Sequence, residues 1–546
     1  MPYLLAAEAD KIQDFIFRSS RLREVVGASQ LLTRFCRSID DTLAKKHGGQ
    51  VVVNDGGSFR VIFDDLAKAH AFGADLAELY RLALGGSLTV AEPVALSGDF
   101  RKANEMAGEK LRWAKSRRQG AVAEVHMPYV AFCASCGVAL ARKRERLTGR
   151  RATNRSSYIC EACRAKAAER DRKPRAILDE LYEAYCTSLG TQPTIALDWP
   201  EDADDIARLD LRQRNYVAYL VADGNGMGRM FGMCGQEQLT KLSKGLSPIL
   251  QDSLAAAAAS FRNVVSEQAG MIPMIPLILG GDDLFALIPA PYALDFARRF
   301  CLEWERRMKK LADEIGLTDL PRPTVAAAVV ICKSTYPFAL AHRRAEALLK
   351  EAKRQNKLLA AETGEHLSAV NFEVILGNRL AGREDDNAKN SRVICLTLRP
   401  YWVCDGDLSQ NAKERGFEIK TLLDQRLTLK DIPNKRLAEL RRCFEDVPTS
   451  ITIRDRNQTM QTWTNRRLDK VLHRLSTTSR EKLEKTALAG LGKPRNNGNS
   501  DHHWREIRRG DATPFAHGML DLLEAWDFAQ DLDYSPDAYE PQEEEA

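Results

Sequence analysis

Apolar positions recur along this chain with two periods, one typical of helices and one typical of strands. Between residues 213 and 400 they predict the order strand, helix, helix, strand, strand, helix, strand, helix. This is the order of a ferredoxin-like α+β sheet with its helices on one face. The longer predicted elements are a strand at 216–222, a helix at 237–260, a hairpin at 275–288, a helix at 292–311, a strand at 324–331 and a helix at 338–357.

The predicted hairpin carries two adjacent carboxylates at its tip. Residues 277–289 read L-I-L-G-G-D-D-L-F-A-L-I-P, so that Gly280 and Gly281 make the turn and Asp282 and Asp283 follow. Ionised carboxylates at the end of an apolar hairpin are unfavourable unless a cation is bound, and oxygen ligands suit Mg²⁺ or Mn²⁺. A type I′ turn whose aspartates face water accounts for the same residues equally well.

A second acidic position favours the metal interpretation. The strand predicted at 216–222 ends at Asp223, and a glycine-rich loop follows, with the candidate phosphate-binding residues Gly224, Asn225, Gly226 and Gly228. Together with the hairpin, this is the layout of a polymerase or cyclase palm, in which two metal ions activate a hydroxyl and stabilise the leaving pyrophosphate. Lys353, in the last predicted helix, is a candidate contact for a triphosphate, although most helix lysines face water.

A similar hairpin is predicted near the N-terminus. Strands at 50–54 and 60–63 flank the sequence Gly56-Gly57-Ser58-Phe59. We interpret residues 1–130 as a first palm domain, an internal repeat in which Ser58 and Phe59 stand where the two aspartates stand later. This copy would be degenerate because it has lost its metal ligands. Since G-G turns between strands are common, an unrelated hairpin is the alternative.

Four of the twelve cysteines have metal-ligand spacing. They form two C-x₂-C pairs, Cys133 with Cys136 and Cys160 with Cys163, which predict a tetrahedral Zn²⁺ site in a ribbon at 131–175. Four protein ligands leave no open position, so we expect the zinc to be structural. The basic segment between the pairs is either a contact for a phosphate backbone or a solvated loop.

Length and composition indicate a multidomain protein. The chain has 546 residues, of which 44% are hydrophobic and 28% charged, and its net charge of +5 does not require a nucleic-acid partner. No apolar run is long enough to span a membrane, and we expect a cytoplasmic location. The remaining predicted segments are a helical linker at 176–212, the second palm at 213–400, a helical C-terminal domain at 401–535 and an acidic tail at 536–546. Asp501, His502 and His503 are interpreted as a surface feature.

The ordered set of motifs resembles the palm-domain CRISPR polymerases, the large subunits of type III CRISPR effector complexes (the Cas10/Cmr2 family). The resemblance covers essentially the whole chain. It is carried by Q-D-F-I-F-R-S-S-R-L-R-E-V-V-G-A-S at 13–29, the first G-G hairpin, the four cysteines, D-G-N-G-M-G at 223–228, L-G-G-D-D-L at 279–284 and T-L-R-P-Y at 397–401.

This resemblance implies a nucleotidyltransferase of antiviral defence that converts ATP into cyclic oligoadenylate second messengers. It implies that Asp223, Asp282 and Asp283 hold two catalytic Mg²⁺ or Mn²⁺ ions, and that the first palm supplies half of the nucleotide cleft. Guide RNA and target RNA are the implied partners, bound through other effector subunits. A homo-oligomer is the expectation if the chain acts alone.

Two departures from the family and two alternatives qualify this interpretation. Many members begin with a His-Asp nuclease domain, whereas this chain enters its first predicted strand at Tyr3, and we therefore expect no DNA cleavage. Asn225 stands where the family often has Asp. The alternatives are a stand-alone cyclic dinucleotide synthase, including GGDEF-type diguanylate cyclases with two identical active palms, and a non-catalytic RNA-binding scaffold. Three clustered aspartates argue against the scaffold, because such carboxylates are unfavourable without a metal.

Overall fold

The structure is a computed structural model. It describes residues 1–19, 21–117, 131–146, 156–190, 193, 195, 197–210, 212, 214–264, 270–317, 321–376, 394–395, 397–445, 466–492, 504–509 and 513–533. Its mixture of sheets and helices confirms the predicted α+β class. None of the helices in these ranges is long and apolar enough to cross a membrane.

The N-terminal unit is an antiparallel sheet with helices packed against it. Its strands run in the order β2-β3-β1-β4, and β5 also pairs with β1. The strands are β1 (Tyr3–Asp10), β2 (Gln50–Asp55), β3 (Ser58–Phe63), β4 (Ser87–Val90) and β5 (Val94–Ala95). The helices are α1 (Ile12–Phe17), α2 (Leu22–Ile39) with a π-helical turn at Asp40–Ala44, α3 (Lys45–His47), α4 (Leu66–Leu84) and α5 (Phe100–Arg117).

A small ribbon and three helices connect this unit to the next sheet. The elements are β6 (Lys143–Arg146), β7 (Ser156–Ile159), α6 (Glu161–Asp171), α7 (Leu178–Leu189) and α8 (Ala203–Ala207). Within the segment predicted as a linker, α7 packs against a helix of the second unit, and its Leu181 is completely buried.

The second unit repeats the strand order of the first. Its elements are β8 (Tyr216–Gly224), α9 (Met227–Met233), α10 (Gln236–Ala259) with a 3₁₀ turn at Ser260–Asn263, β9 (Ile275–Gly280), β10 (Asp283–Pro289), a 3₁₀ turn at Ala290–Tyr292, α11 (Ala293–Glu314), β11 (Val325–Lys333), α12 (Phe338–Thr363) and β12 (Ser368–Val374). The order β9-β10-β8-β11 corresponds to β2-β3-β1-β4. Both are the strand order of a split βαβ, ferredoxin-like sheet.

The C-terminal part is not entirely helical. Its elements are β13 (Ile394–Cys395), β14 (Tyr401–Val403), α13 (Gln410–Lys413), α14 (Ile419–Thr428), α15 (Asn434–Glu445), α16 (Arg466–Leu472), α17 (Thr477–Lys482) with a π-helical turn at Leu483–Leu488, β15 (Arg505–Glu506), β16 (Phe515–Ala516) and α18 (Met519–Glu524). Strands β13, β16 and β15 form a separate sheet, while β14 pairs with β12. The second sheet therefore continues past the predicted boundary at 400. Asp501, His502, His503 and the acidic tail at 536–546 lie outside the described residues.

The T-L-R-P-Y motif fastens the C-terminal part to the second sheet. The carboxylate of Asp521, completely buried in α18, accepts hydrogen bonds from the Tyr401 hydroxyl (2.8 Å), the Thr397 hydroxyl (2.7 Å) and the Leu398 amide (2.8 Å). The Arg399 guanidinium lies 2.9 Å from the same carboxylate. This buried charge is therefore both paired and hydrogen-bonded, as a stable interior site requires.

Each unit packs one of its helices against the sheet of the other. Helix α2 of the first unit packs against β9 of the second, and α10 of the second packs against β2 of the first. The two hairpin turns meet at glycines, because a Cβ on Gly280 would lie only 3.7 Å from the Cα of Gly56. The site described below therefore includes residues of both units.

The register of the first hairpin corrects one sequence prediction. Asp55 pairs with Ser58, whereas Gly280 pairs with Asp283, so Gly57 and Ser58 are the counterparts of Asp282 and Asp283. The assignment of Phe59 to an aspartate position was wrong. Neighbouring strand residues face opposite sides of the sheet, and Phe59 points inward and is completely buried.

The ribbon brings its four cysteines together. The Sγ atoms of Cys133, Cys136, Cys160 and Cys163 all lie within 4.8 Å of one another, so that the cluster could hold a zinc ion. Backbone amides point at two of the sulfurs: the Ser135 amide donates to Cys133 and the Cys163 amide to Cys160, both at 3.4 Å. Such bonds favour thiolates, which are the form that binds metal.

The ribbon is attached to α2 by buried polar contacts and a close helix crossing. The Glu24 carboxylate accepts hydrogen bonds from the hydroxyls of Ser19 and Ser135, and all three side chains are buried. At the crossing of α2 and α6, Gly27 touches the backbone of Lys166. The E-V-V-G-A-S sequence thus supplies both an anchor for the ribbon and the glycine that lets the helices meet.

The first prediction concerns this crossing. We expect Gly27→Ala to lower the free energy of unfolding by about 1–3 kcal/mol, because the new Cβ would lie 1.8 Å from the Lys166 carbonyl oxygen and the helices must separate. Gly108→Ala, in the middle of α5, is the matched control. Its nearest neighbour is the mobile end of Arg112 at 3.6 Å, and we expect a gain of about 0.5–1 kcal/mol. Equal stabilities of the two variants in chemical unfolding would contradict this account of Gly27.

The second prediction concerns the cysteines. Protein purified without chelators should contain one zinc per chain, and Cys133→Ser should lose both the zinc and part of the unfolding free energy, because binding energy at such a site is folding energy. Cys186→Ser is the control, since Cys186 lies outside the cluster. Elemental analysis paired with thermal unfolding measures both quantities. The assignment would be refuted if the purified wild-type protein contained no zinc and Cys133→Ser left the free energy of unfolding unchanged.

Candidate active site

The central strand of the second sheet delivers the first carboxylate. Strand β8 is buried along nearly its whole length and is paired on both sides, with β10 and with β11. Ala222 pairs with Leu284, so Asp223, one residue further along β8, lies beside Asp283, the first residue of β10. Asp282 occupies the turn, and its carboxyl is in hydrogen-bond contact with that of Asp223. The three aspartates predicted from the sequence therefore lie together.

Crowding changes the protonation of two of these carboxyls. Burial, followed by repulsion from Asp223 and Asp283, raises the pKa of Asp282 to about 8. Burial and the charge of Asp223 raise the pKa of Asp283 to about 6. Asp283 is exposed on its outer side, which agrees with the smaller shift. At neutral pH the site without a cation therefore retains a proton, because neighbouring carboxylates cannot all ionise.

Lys353 supplies a cation in direct contact with the carboxylates. Helix α12 packs against β8 and directs the Lys353 ammonium onto Oδ2 of Asp223, where it forms an ion pair. The charge of Lys353 also opposes the rise in the pKa of Asp283. Within the described part of the chain, the three aspartates do not converge as tightly as the four cysteines do. Asp223 is paired with Lys353, and a metal ion would have to displace that ammonium.

The loop after Asp223 depends on its glycines at two positions. A Cβ on Gly224 would lie 2.6 Å from Cγ of Met227 and 3.3 Å from Oδ2 of Asp282, so no larger residue fits there. Gly226 has φ +71°, a left-handed conformation that favours glycine. Gly228 has open space around it and no such requirement.

Asn225 does not point at the carboxylates. Its Nδ2 donates a hydrogen bond to the Thr324 hydroxyl at 3.1 Å, and its backbone amide donates to the Thr324 carbonyl at 2.8 Å. The side chain thus ties the loop to the residue that precedes β11. At the position where the resembled family often has Asp, this chain has a residue that stabilises the loop.

One cavity is lined by two of the aspartates, and a second is lined by Lys353, the partner of Asp223. The larger, of about 640 Å³, lies between the two hairpin turns, and its lining includes Asp282, Asp283 and the cations Arg60, Arg112 and Arg229. The second, of about 520 Å³, is lined by the loop residues Asn225 and Gly226, by the cations Arg229, Arg322, Lys353 and Lys357, and by His366, whose pKa is lowered by burial and by the charge of Arg229. Each is large enough for a nucleotide.

Most of the basic lining residues carry no signal in the sequence. Arg60 lies on β3, Arg112 on α5, Arg229 on α9 and Arg322 just before β11. Isolated arginines are common on protein surfaces, and only the folded chain brings these four to the two cavities, where Arg322 also pairs with Glu305. Lys353 is the exception, because its helical position after the second palm motifs had suggested it.

One comparison with known proteins identifies the part of the chain that carries the aspartates. Residues 216–359 match the model of the Cas10/Cmr2 second palm domain. No curated protein matches the sequence significantly. Matches among solved structures include the apo Csm1-Csm4 cassette, which is 16% identical with a TM-score of 0.44 and covers 86% of this chain and 65% of that chain.

Two further structures are similar to the same degree. Csm1 in T. onnurineus is 15% identical with a TM-score of 0.44, over 86% of this chain and 64% of that one. The Csm1-Csm4 cassette in complex with pppApApA is 15% identical with a TM-score of 0.41, over 67% of this chain and 53% of that one. The present chain thus spans between half and two thirds of the length of these proteins. The segment at 216–359, which contains all three aspartates and Lys353, is a second palm domain of the Cas10/Cmr2 family, as the sequence motifs had indicated.

Proposed function

We propose that this chain is a nucleotidyltransferase that joins ATP into cyclic oligoadenylates as part of a type III CRISPR antiviral system. One observation carries the proposal. Asp223, Asp282 and Asp283 lie together beside the larger cavity, and burial together with their mutual repulsion keeps a proton on the site that a bound cation would displace. Carboxylates that cannot all ionise without added positive charge are suited to bind metal ions, which supply that charge.

The donor set matches the ions that the reaction needs. Asp223, Asp282 and Asp283 would hold two Mg²⁺ or Mn²⁺ ions, which when bound supply activation of the attacking hydroxyl and stabilisation of the leaving pyrophosphate. Carboxylate oxygens are the ligands that these hard cations prefer. Asp223 becomes free for this role once Lys353 moves to a phosphate.

The remaining residues of the site bind and orient the nucleotides. Arg229 borders both cavities and can contact the phosphates of two substrates at once. The lining of the second cavity includes Lys353, Lys357 and the loop residues Asn225 and Gly226. In the larger cavity Arg60 and Arg112 belong to the first unit, so a nucleotide there would contact both units. Holding two substrates in one orientation accounts for most of the rate of such a reaction.

The first unit is then a degenerate palm that serves as a binding partner for the second. Its strand order is the same, while its hairpin has Gly57 and Ser58 at the metal-binding positions. The proposed division of the chain is a first palm at 1–130, a zinc ribbon at 131–175, a second palm from 213 through β14 and a C-terminal domain thereafter.

RNA is proposed to act through other subunits. Guide RNA and target RNA are the expected activating partners, and a subunit of the Csm4 kind is the expected protein neighbour. Csm1-Csm4 cassettes have been solved in complex with one ATP, with cA3 and with cA4. These are the compounds that a test on the present chain should include.

The third prediction concerns a double variant that lacks both carboxylates of the turn. Asp282→Ala combined with Asp283→Ala should abolish nucleotide joining, because neither ion can be held. The free energy of unfolding should stay level or rise by about 1 kcal/mol, since repulsion is relieved. The assay incubates protein, with and without RNA partners, with each nucleoside triphosphate and Mg²⁺ or Mn²⁺, and identifies products by mass spectrometry.

The matched control is Asp40→Ala with Asp41→Ala, an adjacent pair of exposed aspartates in the π-helical turn after α2. This pair should leave product formation unchanged. Synthesis by the Asp282/Asp283 double variant would exclude the proposed site. A product consisting of a cyclic dinucleotide would favour the stand-alone signalling enzyme instead.

The fourth prediction concerns pH. The pKa of Asp282 is raised from 3.8 to about 8. Between these pH values the folded, metal-free protein therefore holds a proton that the unfolded chain has released. The free energy of unfolding, measured in chelator, should fall as pH rises through this range. Asp282→Asn should remove that fall, so that its stability advantage over wild type grows by up to about 4 kcal/mol between pH 5 and 8, at about 1.4 kcal/mol per pH unit. Added Mn²⁺ should stabilise the wild-type protein more at pH 8 than at pH 6, since protons compete with metal. Parallel stability curves for the two proteins in chelator would contradict the shared proton.

A further inference from the structure

The first unit contributes a carboxylate to the turn that carries Asp282 and Asp283. Asp55 is the last residue of β2 and lines the larger cavity. Its Oδ1 accepts a hydrogen bond from the Gly56 amide at 2.8 Å. Its Oδ2 accepts from the Ser247 hydroxyl and from the Gly281 amide, the latter at 3.3 Å. One carboxylate therefore connects the first hairpin, helix α10 and the second hairpin.

Asp55 marks a difference between the two hairpins. By the register of the turns its counterpart is Gly280, which has no side chain, whereas Asp282 and Asp283 have Gly57 and Ser58 as counterparts. The first hairpin thus lacks the two metal-binding acids and has an acid where the second has none. The two turns lie against each other at Gly56 and Gly280, and there Asp55 reaches the Gly281 amide.

The Gly281 amide is the neighbour of Asp282 along the backbone. Gly281 has φ +61°, and its amide contacts Oδ2 of Asp55 and, at 3.4 Å, the Ser247 hydroxyl oxygen. The turn must hold its conformation although Asp282 and Asp283 are repelled by Asp223. An acceptor that fixes the amide just before them opposes any movement of the turn away from Asp223.

The geometry points to Asp55 as a positioning residue that aims Asp282 and Asp283 through the Gly281 amide. This inference rests on the proposed function for its consequence in catalysis. It gives the first unit a second role beside its share of the cleft, because a carboxylate of one unit would set the geometry of the metal ligands of the other. Asp55 acts here as a hydrogen-bond acceptor, whose two oxygens are occupied by an amide on one side and by an amide and a hydroxyl on the other.

The test compares Asp55→Ala with Asp55→Asn by three measurements. Hydrogen–deuterium exchange of the peptide covering 277–289 reports the turn, the Mn²⁺ dissociation constant reports the ligands, and kcat and KM for ATP report the reaction. Asp55→Ala should speed exchange and weaken Mn²⁺ binding by about tenfold, the effect of losing one charge-assisted hydrogen bond. It should lower kcat more than it changes KM. Asp55→Asn keeps an oxygen that accepts hydrogen bonds from Gly281 and Ser247. This variant should therefore show exchange, Mn²⁺ affinity and kcat close to those of the wild-type protein.

Two further variants sharpen the comparison. Ser247→Ala should give a smaller effect than Asp55→Ala, and the double variant should be at most slightly worse than Asp55→Ala alone, because the Ser247 hydroxyl acts mainly by holding Asp55 and makes only a long contact of 3.4 Å with the Gly281 amide itself. Asp65→Ala is the matched control. Asp65 is another aspartate of the first unit, which caps α4 through the Lys68 amide at 3.0 Å, so its loss should lower stability without changing exchange at 277–289 or kcat.

The overturning results are distinct from a failure of the proposed function. Unchanged exchange and Mn²⁺ affinity in Asp55→Ala would overturn the positioning role. An Asp55→Asn variant as impaired as Asp55→Ala would mean that the charge of Asp55 matters as a metal ligand, which also overturns it. If the wild-type protein makes no oligonucleotide, the proposed function fails, while exchange and Mn²⁺ binding still decide the role of Asp55.

Discussion

The repulsion among three carboxylates at one edge of the second sheet is the constraint on which the site depends. Asp223 ends a buried strand, and the pairing of β8 with β10 leaves Asp282 and Asp283 no position away from it. Burial and, after it, this repulsion raise the pKa values of both turn residues. The repulsion is offset by the ammonium of Lys353, by retained protons and, in the proposed working state, by metal ions.

This constraint explains why the surrounding backbone is so closely held. Gly224 cannot carry a side chain because Asp282 and Met227 lie against it. The next residue of the loop, Asn225, is hydrogen-bonded to Thr324. On the other side the Gly281 amide is bonded to Asp55. A turn that bears repelling charges is thus fixed from both flanks, which is what a preorganised metal site requires.

The arrangement of the two units makes these contacts available. Because α2 packs against β9 and α10 against β2, neither sheet has its outer hairpin strand covered by its own helices alone. The hairpin turns therefore meet at Gly56 and Gly280, with a nucleotide-sized cavity beside them. The two units differ at the turn itself, where the second has the acids and the first presents a hydrogen-bond acceptor to its partner.

The sequence by itself determined the features whose chemistry is local. The G-G-D-D turn, the strand that ends at Asp223 and the two cysteine pairs could be recognised because a few neighbouring residues specify each, and periodicity predicted the strand order. Only the tertiary structure decided that Phe59 is buried, that Lys353 pairs with Asp223 and that Asp55 reaches a backbone amide 226 residues away. Such contacts join side chains that are remote in sequence, and their register follows from strand pairing and helix packing, which no short pattern encodes.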